Sequence, residues 1–99
     1  MPDPDAPLRG DSRPVRSTAV AWQTIDGETV LLRHQEKDLL GLNAVGRRLW
    51  EMADGTRSID QMVDSVTAEF RVVADVARAD ILRFVRELMS LGALDLRRD

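Results

Sequence analysis

A helix-start signal that directly follows a tight turn constrains the fold of this chain more than any other feature. Ser58 and Gln61 form a capping box, in which each side chain satisfies a backbone N–H of the first helical turn. Apolar residues then recur at helical spacing, namely Ile59, Met62, Val63, Val66 and Phe70. Only residues 54–57 separate this helix from a preceding one. Two capped helices joined by so short a turn are typical of a helix-turn-helix.

Helices are also predicted on both sides of this element. Asn43 can cap a helix that begins at Ala44. Its buried stripe is expected to be Val45, Leu49, Met52 and Ala53, with Trp50 beside the stripe. A third helix is predicted from about Asp75 to Leu91, with Gly92 in the position of a left-handed cap. The following residues, 94–96, are predicted to add a short strand.

Strands are predicted before the helices. Residues 20–24 alternate in character, and Asp26-Gly27 supplies a tight turn before Thr29 to Arg33, which predicts a β-hairpin. The apolar run from Leu39 to Leu42 is too short for a helix and predicts a third strand. We therefore expect an α+β winged helix-turn-helix, with a three-stranded antiparallel sheet followed by three helices, over residues 18–96.

The N-terminal segment has a different composition. All four prolines lie within the first fourteen residues among charged side chains, so residues 1–17 are predicted to be a disordered arm. Over the whole chain, 43% hydrophobic and 31% charged residues are typical of a globular protein. The absence of cysteine excludes disulfides and thiolate metal sites, and no stretch is predicted to span a membrane or act as a signal peptide. We expect a cytoplasmic protein.

No convergent set of titratable residues indicates an enzyme. His34 is the only histidine, so a multi-histidine metal site is excluded. The carboxylate pairs on the helices, Asp60 with Asp64 and Asp75 with Asp80, are typical of a solvated helix face, and the glycines make no phosphate-binding pattern. The sequence therefore predicts no catalytic residue, no metal and no cofactor.

A helix-turn-helix makes DNA binding an alternative, and charge argues against it. Residues 18–96 contain nine Lys and Arg against thirteen Asp and Glu, whereas phosphate contacts require a basic face. On the third helix, the three arginines Arg78, Arg83 and Arg86 are offset by Asp75, Asp80 and Glu87. A DNA-binding winged-helix protein and a structural subunit of a larger assembly remain the alternatives.

The third helix carries two largely apolar stripes on a helical wheel. The expected core stripe is Ala77, Ile81, Phe84, Leu88 and Leu91. The second stripe is Arg78, Leu82, Val85, Arg86 and Met89. Either the small sheet covers both stripes, or the second stripe lines a groove between this helix and the third strand.

The segments GLNAVGRRLWEMADGTRSIDQMV and ARADILRFVRELMSLGAL resemble the PqqD family, whose members are recognition elements for ribosomally made, post-translationally modified peptides. The resemblance covers residues 28–96. It departs from the family pattern at Leu39 and Leu40, where relatives commonly have an aromatic residue, and at Val73-Ala74, where relatives often have Asp-Pro.

The resemblance implies that the chain binds the leader segment of a precursor peptide as an added strand and presents it to a modifying enzyme, such as a radical SAM protein, a cyclase or a leader peptidase. The residues implied to contact the peptide are Asp38, Leu39, Leu40, Gly41 and Leu42 on the strand, and Arg78, Leu82, Val85, Arg86 and Met89 on the helix. On this assignment, Asp in place of Leu82 or Val85 should weaken leader binding without unfolding the domain. Arg78 or Arg86 should favour leaders that carry carboxylates, and the open strand edge also allows a homodimer.

Overall fold

The computed structural model describes residues 8–18, 20–33 and 38–97, and it has the α+β architecture that the sequence predicts. The elements in chain order are β1 (Pro14–Arg16), β2 (Ala21–Ile25), β3 (Glu28–Arg33), β4 (Asp38–Leu42), α1 (Ala44–Met52), α2 (Ile59–Phe70), α3 (Ala74–Ser90) and β5 (Leu94–Leu96). Strands β2, β3 and β4 form an antiparallel sheet in that order, and the three helices follow it. The predicted third strand is thus β4 of the structure.

The helix ends confirm the predicted capping signals. The Asn43 side-chain oxygen accepts a hydrogen bond from the backbone N–H of Gly46 at 2.7 Å. The capping box is complete, since the Ser58 hydroxyl accepts from the Gln61 N–H and the Gln61 side chain accepts from the Ser58 N–H. Gly92 has a φ of +75°, as its left-handed cap position requires.

The turn between α1 and α2 is fixed by its own side chains. Asp54 accepts hydrogen bonds from the Thr56 hydroxyl at 2.6 Å and from the Thr56 N–H at 2.9 Å. These bonds, the hydroxyl contribution being the larger, hold the pKa of the Asp54 carboxyl below its ordinary 3.8. Gly55 has a φ of +84°, a conformation that favours glycine.

The core lies between the helices and one face of the sheet. Trp50 is completely buried, and its ring meets the ring of Trp22 edge-on with centroids 5.9 Å apart. The sequence placed Trp50 beside the buried stripe of α1, and the structure places it within the core. Of the stripe predicted for α2, Phe70 is half-buried and the other four residues are buried.

The hairpin of β2 and β3 turns at Asp26-Gly27, where both residues have positive φ, as a type I′ turn requires. The strand register places the buried side chains of Thr29 and Leu31 on the face that packs against the helices. On β4, Leu40 lies opposite Leu31, and Leu42 lies opposite Thr29. Leu40 and Leu42 are therefore half-buried against the core.

The N-terminal segment corrects a prediction. Residues 8–17 are not a disordered arm, because β1 pairs antiparallel with β5 to form a second, two-stranded sheet. The carbonyls of Gly10 and Ser12 also accept hydrogen bonds from the first backbone N–H groups of α2. These contacts use main-chain atoms, so a polar, proline-rich composition did not reveal them. Residues 1–7 lie outside the described residues.

Removal of β1 is expected to destabilise the domain. Arg16 donates hydrogen bonds to the carbonyls of Trp50 and Glu51, and buried Pro14 packs beside β5. A chain that begins at Thr18 should therefore melt at least about 10 °C below one that begins at Leu8, since one kcal/mol corresponds to about 4–8 °C at this size. Thermal unfolding followed by circular dichroism checks this. Equal melting temperatures would show that the β1–β5 pairing contributes nothing to stability.

Candidate functional site

β4 presents an open backbone edge. Among the described residues β4 pairs with β3 alone, so its other side is not hydrogen-bonded. Ile25 and Glu28 flank the two-residue turn of the β2–β3 hairpin and form a hydrogen-bonded pair. From that pair onward, successive residues of each strand direct their backbone N–H and carbonyl groups alternately to one side of the strand and to the other. Leu40 and Leu42 accordingly direct their backbone groups toward β3. Leu39 and Gly41 direct their backbone groups, two N–H groups and two carbonyls in all, toward the open edge.

The end of β4 meets α1 and α3 at a buried glycine. A Cβ atom on Gly46 would lie 3.2 Å from Cε2 of Phe84 and 3.5 Å from Cβ of Leu42. The three elements approach each other this closely because residue 46 has no side chain. Next to this contact is a groove of about 260 Å³ lined by Asn43, Val45, Gly46, Leu49, Asp80, Arg83, Phe84 and Glu87.

Helix α1 lines the groove with apolar residues, and α3 lines it with Phe84 and three charged residues. Arg83 and Asp80 form an ion pair of 2.7 Å one helical turn apart. Glu87 is exposed, and its side chain forms no ion pair with the described residues. The α3 side of the groove therefore carries one more negative than positive charge.

Similarity to known proteins identifies the family. A family model described as coenzyme PQQ synthesis protein D (PqqD) matches residues 28–94. The chain belongs to the PqqD family. A solved structure described as TbiB1 in complex with the TbiA(beta) leader peptide has a TM-score of 0.73 and 33% sequence identity, and the match covers 86% of this chain and 99% of that one. None of the curated proteins compared with the chain matches it.

A second solved structure supports the fold. It is the PqqD truncation of Methylobacterium extorquens PqqCD, described as a functional, stand-alone recognition element for ribosomally synthesized and post-translationally modified peptides (RiPPs). Its TM-score is 0.73 at 20% identity, and the match covers 93% of this chain and 97% of that one. Both matches extend beyond the helix-turn-helix to most of the domain.

The strand residues implied by the resemblance to PqqD proteins form β4, at the edge of the sheet. Gly41 is exposed, and a Cβ atom there would have no neighbour within 4 Å. The side chains of Asp38 and Leu39 lie outside the described part of the chain, although the backbone of both residues is in the strand.

The helical residues implied for this PqqD-family site do not form one exposed surface, which corrects the assignment of all five to peptide contact. Val85 is 1% exposed and Met89 is 5% exposed, so both belong to the core. Leu82 is half-buried against the core, and Arg86 is exposed. Arg78 forms an ion pair of 2.7 Å with Asp60 on α2, which shows that this side of α3 faces α2 rather than β4.

The sequence predicts Phe84 in the core stripe of α3 and does not predict this groove. Phe84 is half-buried, and it lies on the flank of α3 that carries Asp80 and Glu87. The available signal was Gly46 within a helix, where glycine costs about 0.5–1 kcal/mol relative to alanine. Glycine at such a position indicates that another group approaches the backbone closely.

The described residues contain no group of three or more His, Cys, Asp or Glu residues that could hold a metal ion. Of the carboxylates considered on the helices, Asp60 pairs with Arg78 and Asp80 pairs with Arg83. His34 lies outside the described residues. No described helix is both long and apolar enough to cross a membrane.

Proposed function

We propose that this protein is a non-catalytic peptide chaperone, a RiPP recognition element that binds the leader segment of a ribosomally synthesised precursor peptide by strand addition to β4. The observation that carries the proposal is the open backbone of Leu39 and Gly41 on β4, a strand whose last residue, Leu42, contacts Gly46 of the groove. The leader-bound TbiB1 structure, with 33% identity over nearly all of its length, supports it.

The geometry of β4 determines how a bound leader would lie. In an antiparallel pairing, leader residues that hydrogen-bond with Leu39 and Gly41 would point their side chains to the outer face of the sheet. The leader residue between them would point inward, beside Leu40 and toward the groove at Phe84. We therefore expect apolar anchor residues at alternate leader positions and little restriction on the side chains at the positions between them.

The expected affinity is moderate. Net gains of about 0.5–1.5 kcal/mol per strand hydrogen bond and of a few kcal/mol from apolar anchors are largely offset by the entropy cost of ordering an extended peptide. We expect a Kd on the order of 1 µM, with the groove side chains providing selectivity.

Charge selection differs from the expectation drawn from the sequence. Arg78 is in an ion pair with Asp60, so its preference for leader carboxylates has little support. The exposed Arg86 keeps that role as a prediction. The excess negative charge at the groove instead favours a leader that places a basic side chain near Glu87.

Presentation to a modifying enzyme completes the proposal. The resemblance implies a radical SAM protein, a cyclase or a leader peptidase as the partner that acts on the bound precursor.

Fluorescence polarisation with labelled TbiA(beta) leader tests the proposal against DNA binding. We expect saturable binding that changes little with salt, and we expect a labelled duplex to bind weakly with steep loss as salt rises. Tight, salt-sensitive duplex binding without leader binding would favour the DNA-binding alternative. Binding of neither probe would favour a structural subunit.

Two substitutions on opposite flanks of α3 locate the groove. Phe84 and Leu82 are both half-buried, and two residues of a helix are separated by about 200° around its axis. We expect Phe84→Ala to weaken leader binding at least about tenfold, because it removes the apolar wall beside β4. Leu82→Ala removes a comparable contact on the α2 side and should change the Kd by less than about twofold. The opposite ranking in the polarisation assay would place the leader on the Leu82 flank.

A further inference from the structure

The opposite edge of the sheet, strand β2, is also open. Among the described residues β2 pairs with β3 alone, and all five of its residues are exposed. The alternation that sets the bonding direction of β4 applies here, so Trp22 and Thr24 direct their N–H and carbonyl groups away from β3. The leader proposal does not use this edge.

Strand β2 itself lacks three features that usually prevent strand pairing, although the Arg16 guanidinium of the N-terminal segment lies 5.6 Å from the Trp22 ring centroid. Its sequence, Ala-Trp-Gln-Thr-Ile, contains no charged residue and no proline, and its register with β3 is continuous, without a bulge. Natural edge strands are commonly protected by one of these devices. Trp22 is 45% exposed and Ile25 is 48% exposed, so pairing here would also cover apolar side chains.

We propose that this edge binds a second copy of the chain, with β2 pairing antiparallel to β2 about a two-fold axis at Gln23. In this register Trp22 lies opposite Thr24 of the second copy, and both outward-facing residues of each strand are hydrogen-bonded, which gives four main-chain bonds. Gln23 lies opposite Gln23 of the second copy in a non-hydrogen-bonded pair.

The side chains of β2 are complementary to themselves in this register. The small Ala21 lies opposite Ile25 of the second copy, on the outer face of the sheet. That face has a shallow hollow of about 250 Å³ lined by Ala21, Trp22, Gln23, Ile25, Val30 and Leu32. Ile25 of each copy can thus occupy space beside Ala21 of the other. None of the five β2 residues is charged, so the paired strands place no like charges directly opposite each other.

Pairing of this kind would make a six-stranded sheet with β4 at each end. Both β4 edges stay open, so each dimer has two separate sites for an extended peptide. A five-residue strand pair buries less surface than a standard stable interface, so the dimer is weak and its population depends on concentration.

Cysteine crosslinking tests the register, because the chain contains no cysteine. Residues opposite each other in a non-hydrogen-bonded antiparallel pair have Cα atoms about 4.5 Å apart, within the range for a disulfide. Under mild oxidation we expect Gln23→Cys to form a covalent dimer at least about tenfold faster than Ala68→Cys, an exposed control on α2. Equal rates would overturn the proposal. Faster crosslinking of Gly41→Cys would also overturn it, since that result would place self-association at β4.

Sedimentation of the unmodified chain gives an independent test. We expect a concentration-dependent shift from monomer to dimer, and Gln23→Lys, which places two ammonium groups at the axis, should move the midpoint to at least about tenfold higher concentration. A chain that stays monomeric at all concentrations would contradict the proposal. Gln23→Lys should leave binding of the TbiA(beta) leader unchanged, so failure of dimerisation and failure of the leader proposal are distinguishable.

Discussion

Replacing Val85 by Asp is expected to lower the free energy of unfolding by at least about 3 kcal/mol. Val85 is 1% exposed on the core face of α3, between the buried Ile81 and Leu88. An unpaired carboxylate in such a position costs about 3–5 kcal/mol, while a domain of this size has a total stability of roughly 5–15 kcal/mol. Circular dichroism during thermal and urea unfolding measures the loss.

Arg86→Asp is the matched control for this variant. Arg86 is the next residue along α3 and is exposed, so the same new carboxylate stays in water. We expect its melting temperature to stay within a few degrees of the unsubstituted chain, since exposed substitutions usually change stability by less than about 0.5 kcal/mol. If Val85→Asp instead folds normally and loses leader binding, Val85 faces the peptide, as the resemblance implied.

Some features of this fold could be predicted from the sequence, and others could not. Local signals such as the Asn43 cap, the Ser58–Gln61 capping box and the Asp26-Gly27 turn depend on residues a few positions apart, and the structure confirms them. Pairing of β1 with β5 joins segments about eighty residues apart through backbone atoms. No side-chain pattern in the prolines and arginines near the N-terminus records that pairing.

In the candidate site, the strand could be predicted from the sequence and the orientation of α3 could not. A short apolar run after a hairpin predicted a strand over Leu39 to Leu42, and the structure has β4 over Asp38–Leu42 at the edge of the sheet. The orientation of α3 did not follow from its sequence, because its apolar arc runs from Phe84 through Val85 to Met89 and either flank could face the strand. Contacts with Asp60 of α2 and with Gly46 of α1 decide the orientation, and both are tertiary.

Gly41→Pro is expected to weaken leader binding at least about tenfold while the domain stays folded. The Gly41 N–H faces the open edge, so proline removes no hydrogen bond to β3, and an edge strand tolerates proline at such a position. A leader strand would lose one hydrogen bond, worth about 0.5–1.5 kcal/mol, and would also meet the proline ring where its backbone must approach. Polarisation with labelled TbiA(beta) leader measures the change.

Gly41→Ala distinguishes the effect of losing the backbone N–H from the effect of adding a side chain. It keeps the N–H, and its methyl group has open space, so binding should change by less than about twofold. N-methylation of single leader residues gives the reciprocal result. Methyl groups should block binding only at alternate leader positions, where the N–H would bond to Leu39 or Gly41, because backbone direction alternates along a strand. A leader that tolerates every methyl group, together with unchanged binding to Gly41→Pro, would mean that side chains in the groove hold the peptide without strand addition.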